Sequence, residues 1–250
     1  MAKQKSVLKV EGTLDDLTFY KSGDGYLVKT KSAISKSRIQ NDPSFARTRE
    51  NDAEFGSAAH SGKLLRDTSR TMMKSASDGR VTSRLTRILM LILKMDTTSA
   101  RGEHNVGIGI TLPTAMVLLK GFEFNIRSQI KSVLFKPYSV DTISGKISIN
   151  NLVPKTDVGH PEGATHLSLS GAFENVDFAT GVNAIEYSNV VTLPIDSAAT
   201  TVTLSPAGVP AGAGTKIYLL KIEFFQQVNG VLYELNNGAF NALVIAELAP

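Results

Sequence analysis

The chain contains no cysteine and no tryptophan. The first absence excludes disulfides, thiolate nucleophiles and zinc sites built on cysteine. The second counts against a carbohydrate-stacking site. Histidine is scarce: His60, His104, His160 and His166. In "HPEGATH", Glu162 lies between His160 and His166, but in a Pro/Gly turn ahead of a strand. Metal ligands sit on one helix face or on adjacent strands, so a surface loop is expected there. No G-x-S-x-G elbow is present, and nothing else brings a nucleophile and a base together. Long apolar runs are missing too. The longest, "ILMLILKM" at 88–95, falls far short of the ~20 residues that cross a bilayer. The basic start "MAKQKSVLKVEG" lacks an apolar segment of signal-peptide length. By itself the sequence predicts a cytoplasmic chain with no catalytic, cofactor-binding or metal-binding residue.

What is present is enough apolar residue to build a core. Of 250 residues, 42% are apolar and 20% charged, which argues against disorder. The charge is uneven. Residues 1–105 carry 19 Lys and Arg against 12 Asp and Glu, whereas 106–250 carry 8 against 11. A basic hairpin and helical region, 1–105, is therefore expected to precede a β-sandwich domain, 106–250.

The first 31 residues read as strands, starting with the short apolar segment "VLKV" at 7–10. "LTFYKSGDGYLVKTK" is a hairpin turning at Gly23-Asp24-Gly25. Tyr20 and Tyr26 lie near the turn and are expected to pair across it. Asp15-Asp16 reads as another turn. Asp42 is an N-cap candidate and Pro43 suits a first helical position, so a helix is predicted over 43–75. Within it, Gly56, Ala59 and Gly62 form a small-residue strip for close helix approach. Phe45 and Phe55 are its expected anchors, and Glu50 and Glu54 with Arg47 and Arg49 are expected surface ion pairs. His60 is expected to pack or cap. A second helix is predicted over 79–95, capped by Asp78. Val81, Leu85, Ile88, Leu89, Ile92 and Met95 follow helical spacing, Met90, Leu91 and Leu93 make its end apolar all round, and Arg80, Arg84 and Arg87 line the other face.

Beyond 106, short apolar runs alternate with Gly, Pro, Asn and Asp. Strands are predicted within 115–125, and over 131–136, 146–150, 165–178, 184–193, 200–205, 216–228, 231–235 and 240–248. Asn229-Gly230 is a strong hairpin turn. The fold class is therefore α+β: a β-hairpin and two helices, then an all-β antiparallel sandwich of immunoglobulin-like or jelly-roll-like layout.

"FGSAAHSGKLLR" resembles a phosphate loop only loosely. Five residues rather than four separate Gly56 from Gly62, and Leu64 stands where a hydroxyl must hold magnesium. Nucleic acid is a more open possibility. Arg47, Arg49, Lys63, Arg66, Arg80, Arg84 and Arg87 all lie on the predicted helices and would contact phosphates. Interleaved acids and the lack of a recognised reader module weigh against it. Together with Tyr20, Tyr26 and Phe55, these residues are the candidate partner-binding set.

Two long stretches carry a resemblance. "EGTLDDLTFYKSGDGYLVKTK" and "NDPSFARTRENDAEFGSAAHSGKLLR" resemble a family of small proteins from Bacteroidetes. Those share a G-T-[ILV]-x-[DN]-[ILV]-T-F-Y hairpin and an F-x-R-T-R-E-N-x-x-E-F-G helix. The matching residues are Gly12–Tyr20 and Phe45–Gly56, and the likeness continues through "LTRILMLILKMDTTSARGEHNV" to about residue 106. A similar family includes a plug at the periplasmic end of the outer-membrane translocon barrel of the type 9 secretion system. The resemblance implies a non-enzymatic stopper, partnered by that barrel, at the periplasmic face of the outer membrane. A nucleic-acid-binding protein and a phage or injection-machine structural subunit are the alternatives.

Overall fold

Ser22 and Gly25 face each other across a two-residue turn, with Gly25 at φ 104°, a conformation only glycine adopts freely. This is the predicted hairpin. The computed structural model describes residues 2–5, 8–30, 34–235 and 238–250, which fall into two units, 1–50 and 51–250. In the first, β1 (Ala2–Lys3), β2 (Gly12–Leu14), β3 (Leu17–Ser22) and β4 (Gly25–Thr30) form an antiparallel sheet in the order β1-β4-β3-β2. Asp15, at φ 53°, and Asp16 make the tight turn between β2 and β3. Of the expected segment 7–10, residue 7 lies outside the described residues, as does residue 31, and 8–10 form no strand. Helix α1 (Lys36–Asn41) follows, then a 3-10 turn at Pro43–Phe45. Asp42 caps that turn, its Oδ1 accepting from the Ser44 N–H at 2.9 Å.

The unit boundary falls inside α2 (Ala46–Thr68). The single predicted helix is divided: Ser69 interrupts it, and α3 (Arg70–Met73) continues beyond. Next come α4 (Val81–Leu93), α5 (Val106–Gly109), α6 (Pro113–Leu119), α7 (Ile130–Val133), β5 (Ser139–Val140), β6 (Ile147–Leu152) and α8 (Pro154–Asp157). The remainder is strand: β7 (His166–Val176), β8 (Asn183–Tyr187), β9 (Val191–Pro194), β10 (Thr200–Leu204), β11 (Thr215–Val228), β12 (Val231–Glu234) and β13 (Ala242–Ala249).

Two long strands organise the second unit. β7 and β11 pair antiparallel from Thr215↔Val176 to Phe225↔His166. β13 and β12 share the outer edge of β11, while β8 and β9 share that of β7. Asn229 and Gly230, at φ 51° and 82°, turn β11 into β12, as the Asn-Gly pair predicts. Side chains alternate along β11. Ile217 and Leu219 enter a core built with Leu65, Leu85, Leu89 and Ile92 of the helices. Leu220, Ile222 and Phe224 enter a second core with Ile147 and Ile149 of β6 and Val202 and Leu204 of β10. The sheet thus carries helices on one face and the antiparallel β10-β6-β5 sheet on the other. The fold is α+β with an antiparallel sandwich. The composition step at 105/106 falls inside the second unit.

Two predicted strands are helices instead. Pro113 opens α6 with its missing N–H at a position that needs none. Ala115 and Leu119 then bury one face of that helix. Only residues 121–124 of the expected 115–125 strand pair with β13, through the Glu123↔Val244 bridge and bonds such as the Phe124 N–H to Leu243 carbonyl at 2.8 Å. Ile130 and Val133, three apart, bury α7 within the expected 131–136 strand. Such apolar runs are too short for period to separate helix from strand.

The small-residue strip of α2 is displaced by one step. Gly62 does meet α4, since a Cβ there would lie 3.3 Å from Leu89 Cδ1. Gly56 faces open space, and Ala58, Ser61 and Leu65 complete the buried face. Phe55 is 58% exposed and anchors nothing within the fold, and His60 is exposed. Leu91 is 48% exposed, so the end of α4 is not buried all round. A much closer helix approach is α5 on α4: a Cβ at Gly109 would collide with the Ile92 carbonyl oxygen. Gly109→Ala is expected to lower stability by about 3 kcal/mol in urea unfolding. Gly208→Ala, where nothing lies within 4 Å, should change it little.

Candidate interaction surfaces

The N-terminal sheet sorts its residues by alternation. Register pairs Leu14 with Leu17, Phe19 with Val28 and Lys21 with Tyr26, and opposed residues share a face. One face therefore carries Leu14, Leu17, Phe19, Tyr26 and Val28. Tyr20 pairs with Leu27 and points to the other face, so the two tyrosines do not pair with each other. Each ring is instead covered by ammonium groups. Lys9 and Lys21 lie 5.9 and 5.7 Å from the Tyr26 centroid, and Lys29 lies 5.5 Å from that of Tyr20. No described residue of 1–50 is buried, and Leu14 is 71% exposed.

The structure disperses the predicted basic set. Arg47 pairs with Glu50 at 3.5 Å. Arg49 binds backbone instead, donating to the carbonyls of Ile39 and Asp42 at 2.7 and 3.0 Å. Arg84 is internal. It pairs with Asp78 and donates to the carbonyl of Glu123 at 2.6 Å and to that of Phe124 at 3.2 Å. Its guanidinium also lies 5.1 Å from the Phe122 ring centroid. Arg80, Arg87 and Lys63 are exposed. Arg66 folds back against Gly62, its Nη1 buried with no hydrogen-bond partner among the described residues. Phe55 forms one wall of an apolar groove of about 520 Å³ between α2 and α4, opposite Thr86 and Met90.

Several structural carboxylates had no signal recognised in the sequence. Glu54, expected at the surface, is buried. Its Oε1 accepts from the Gly102 N–H at 2.9 Å and contacts His104 Nδ1 at 2.7 Å, which ties the 96–105 loop to α2. The Gly102 bond outweighs burial and holds the carboxyl below its ordinary range, with His104 adding to the effect. Burial pushes Asp96 up, but bonds from Ser99 and Thr98 win and hold it well below the usual range. "DTTS" is an Asx-type signature that would have revealed this. Burial pushes Glu123 up to about 7 against the Ile130 N–H bond. Glu174, fully buried on β7, is pushed up to about 8 by burial. Its Oε1 accepts from Ser69 Oγ at 2.8 Å at the α2–α3 break, and its Oε2 has no partner among the described residues.

Among the described residues, no group of three or more His, Asp or Glu side chains is placed to hold a metal ion, and no helix is long and apolar enough to cross a membrane. What the described residues present is an exposed sheet face bordered by lysines and an apolar groove between two helices. Comparison with family models, curated proteins and solved structures gave no match.

Arg84→Gln is expected to cost about 2–3 kcal/mol, because it removes the cation paired with Asp78 and a donor to the Glu123 carbonyl. Arg87→Gln should be neutral in the same denaturation assay. Glu174 sets a pH dependence. Its folded carboxyl titrates at about 8 and its unfolded one at 4.5, so the stability it lends is complete below the latter and is lost as pH rises through the former. Glu123 acts in the same direction, and the depressed Asp96 and Glu54 act oppositely in acid. Stability should peak in mild acid and fall toward about pH 8. Glu174→Gln should flatten that fall, as read by chemical denaturation at several pH values.

Proposed function

We propose that the protein is a non-enzymatic structural subunit seated in a larger assembly: a plug at the periplasmic end of the type 9 outer-membrane translocon barrel. The observation that carries the first part is the N-terminal sheet, whose apolar face holds no buried described residue. A small sheet draws its stability from packing a hydrophobic face on something else. A seat in a larger host supplies that cover. The body of 51–250 supports the reading, because a sheet packed on both faces to interior density resists deformation. The choice of host follows from the resemblance at Gly12–Tyr20 and Phe45–Gly56. A pore wide enough for folded cargo leaks solutes when idle, and a stiff body in its mouth preserves the barrier.

The cation excess of the first unit, ten Lys and Arg against six Asp and Glu in 1–50, favours nucleic acid as a second reading. The internal engagement of Arg84 and the covered tyrosine rings count against it. Tagged protein from its native cells should co-purify with a barrel several times its own mass, and deletion of the gene should admit bulky antibiotics. Unchanged permeability and a monomeric chain would count against the plug. Submicromolar, salt-sensitive retention on DNA or RNA would favour the second reading.

A further inference from the structure

We propose that the Leu14, Leu17, Phe19, Tyr26 and Val28 face of the N-terminal sheet docks on a protein surface with an apolar centre and carboxylates placed against Lys9 and Lys21. The inference rests on the reading of the protein as a seated subunit and names the chemistry of the seat.

Charge complementarity selects the occupant. The chain carries 27 Lys and Arg against 23 Asp and Glu, and the whole excess of four lies in residues 1–50, with ten against six. A second copy of this chain docked by the same face would bring a like excess against it and be repelled. The cations are also placed. Lys9 and Lys21 both lie near the Tyr26 ring at one end of the face, Lys9 also donating to the Gln4 carbonyl at 2.9 Å, and a partner carboxylate there would meet two ammonium groups.

The same geometry disfavours the two common polyanions. Single-stranded nucleic acid stacks its bases on open aromatic faces, and here lysine already lies over both tyrosines. An anionic lipid surface or a phosphate backbone running along β3 would meet carboxylates at both of its ends. Asp15 and Asp16 turn into the strand beside Leu14 and Leu17, and Asp24 turns out of it. A folded protein can match a face whose middle is apolar and whose lysines and carboxylates both lie at its margin. A uniform polyanion cannot.

Carbodiimide joins lysine to carboxylate with loss of water and leaves no spacer, so it reads this contact directly. The tagged full-length chain is treated in its native cells, and intermolecular links are mapped by mass spectrometry. Links should concentrate on Lys9 and Lys21. Lys29, which pairs with Thr18 on the opposite face of the same sheet, and the exposed Lys146 and Lys155 of the body should carry few. Leu14→Ser with Leu17→Ser, both at exposed positions, should lower the yield at Lys9 and Lys21 about fivefold through lost apolar contact. Links on Lys29, Lys146 or Lys155 alone overturn the docking face and leave the seated-subunit reading standing. An unchanged yield in the double variant overturns it too. No links at all, with the chain running as a monomer, overturns both. Binding of the purified chain to phosphatidylglycerol vesicles or single-stranded DNA at physiological salt, abolished by Lys9→Gln with Lys21→Gln, replaces the protein partner with a polyanion.

Discussion

A sheet buried on both faces leaves its strands no side that can tolerate an unsatisfied polar group. β7 and β11 live under that constraint, and the rest of the second unit follows from it. Their alternating side chains feed two separate cores, so helices had to cover one face and a second sheet the other. Where the strands do place polar groups inward, partners come from distant chain. Lys221 Nζ donates to Ser75 Oγ at 2.9 Å and pairs with Glu223 at 2.9 Å, and Ser75 Oγ donates to Glu223 Oε1 at 2.5 Å. Asn241 reaches the Ser75 carbonyl at 3.0 Å and accepts from the Phe224 N–H at 3.1 Å. The segment between α3 and α4 is thereby fastened to the sheet by a satisfied network, the form in which buried polar groups specify one arrangement. Glu174 is the exception, a carboxyl kept neutral beside a helix break.

The two units divide the physics between them. The second holds the cores and the internal ion pairs. The first is a sheet and two short helical turns in which no described residue escapes solvent. Its local order rests on tight turns, on the Gln4 side chain bridging Val10 and Leu27 carbonyls at 3.1 and 3.2 Å, and on lysine stacked over tyrosine. Those are contacts of modest strength, suited to a surface completed from outside.

Much of this was legible from residues. Gly25 and the Asn229-Gly230 pair announced their hairpins through backbone angles that few residues adopt. The helical period of Val81, Leu85, Leu89 and Ile92 announced α4, and long β-rich runs announced β7 and β11. The failures share a cause. "AMVLL" and "KSVLFK" are too short to show a period, and tertiary cover decided them. Glu54 and Arg84 look like surface charges on their helices, and only the chain brought against them, at Gly102 and His104 or at Glu123 and Phe124, makes them internal. The cations of the candidate binding set were read from charge type alone, so exposed ones such as Arg87 stood beside those the fold consumes.

The uneven placement of charge also bears on how the molecule behaves in crowded solution. Residues 51–250 contain seventeen Lys and Arg and seventeen Asp and Glu. At neutral pH the larger part of the molecule is therefore close to its isoelectric condition, where mutual repulsion between copies vanishes and colloidal solubility is lowest. The short cationic leader supplies the repulsion for the whole, so it serves as the dispersant of the body until its charge is neutralised.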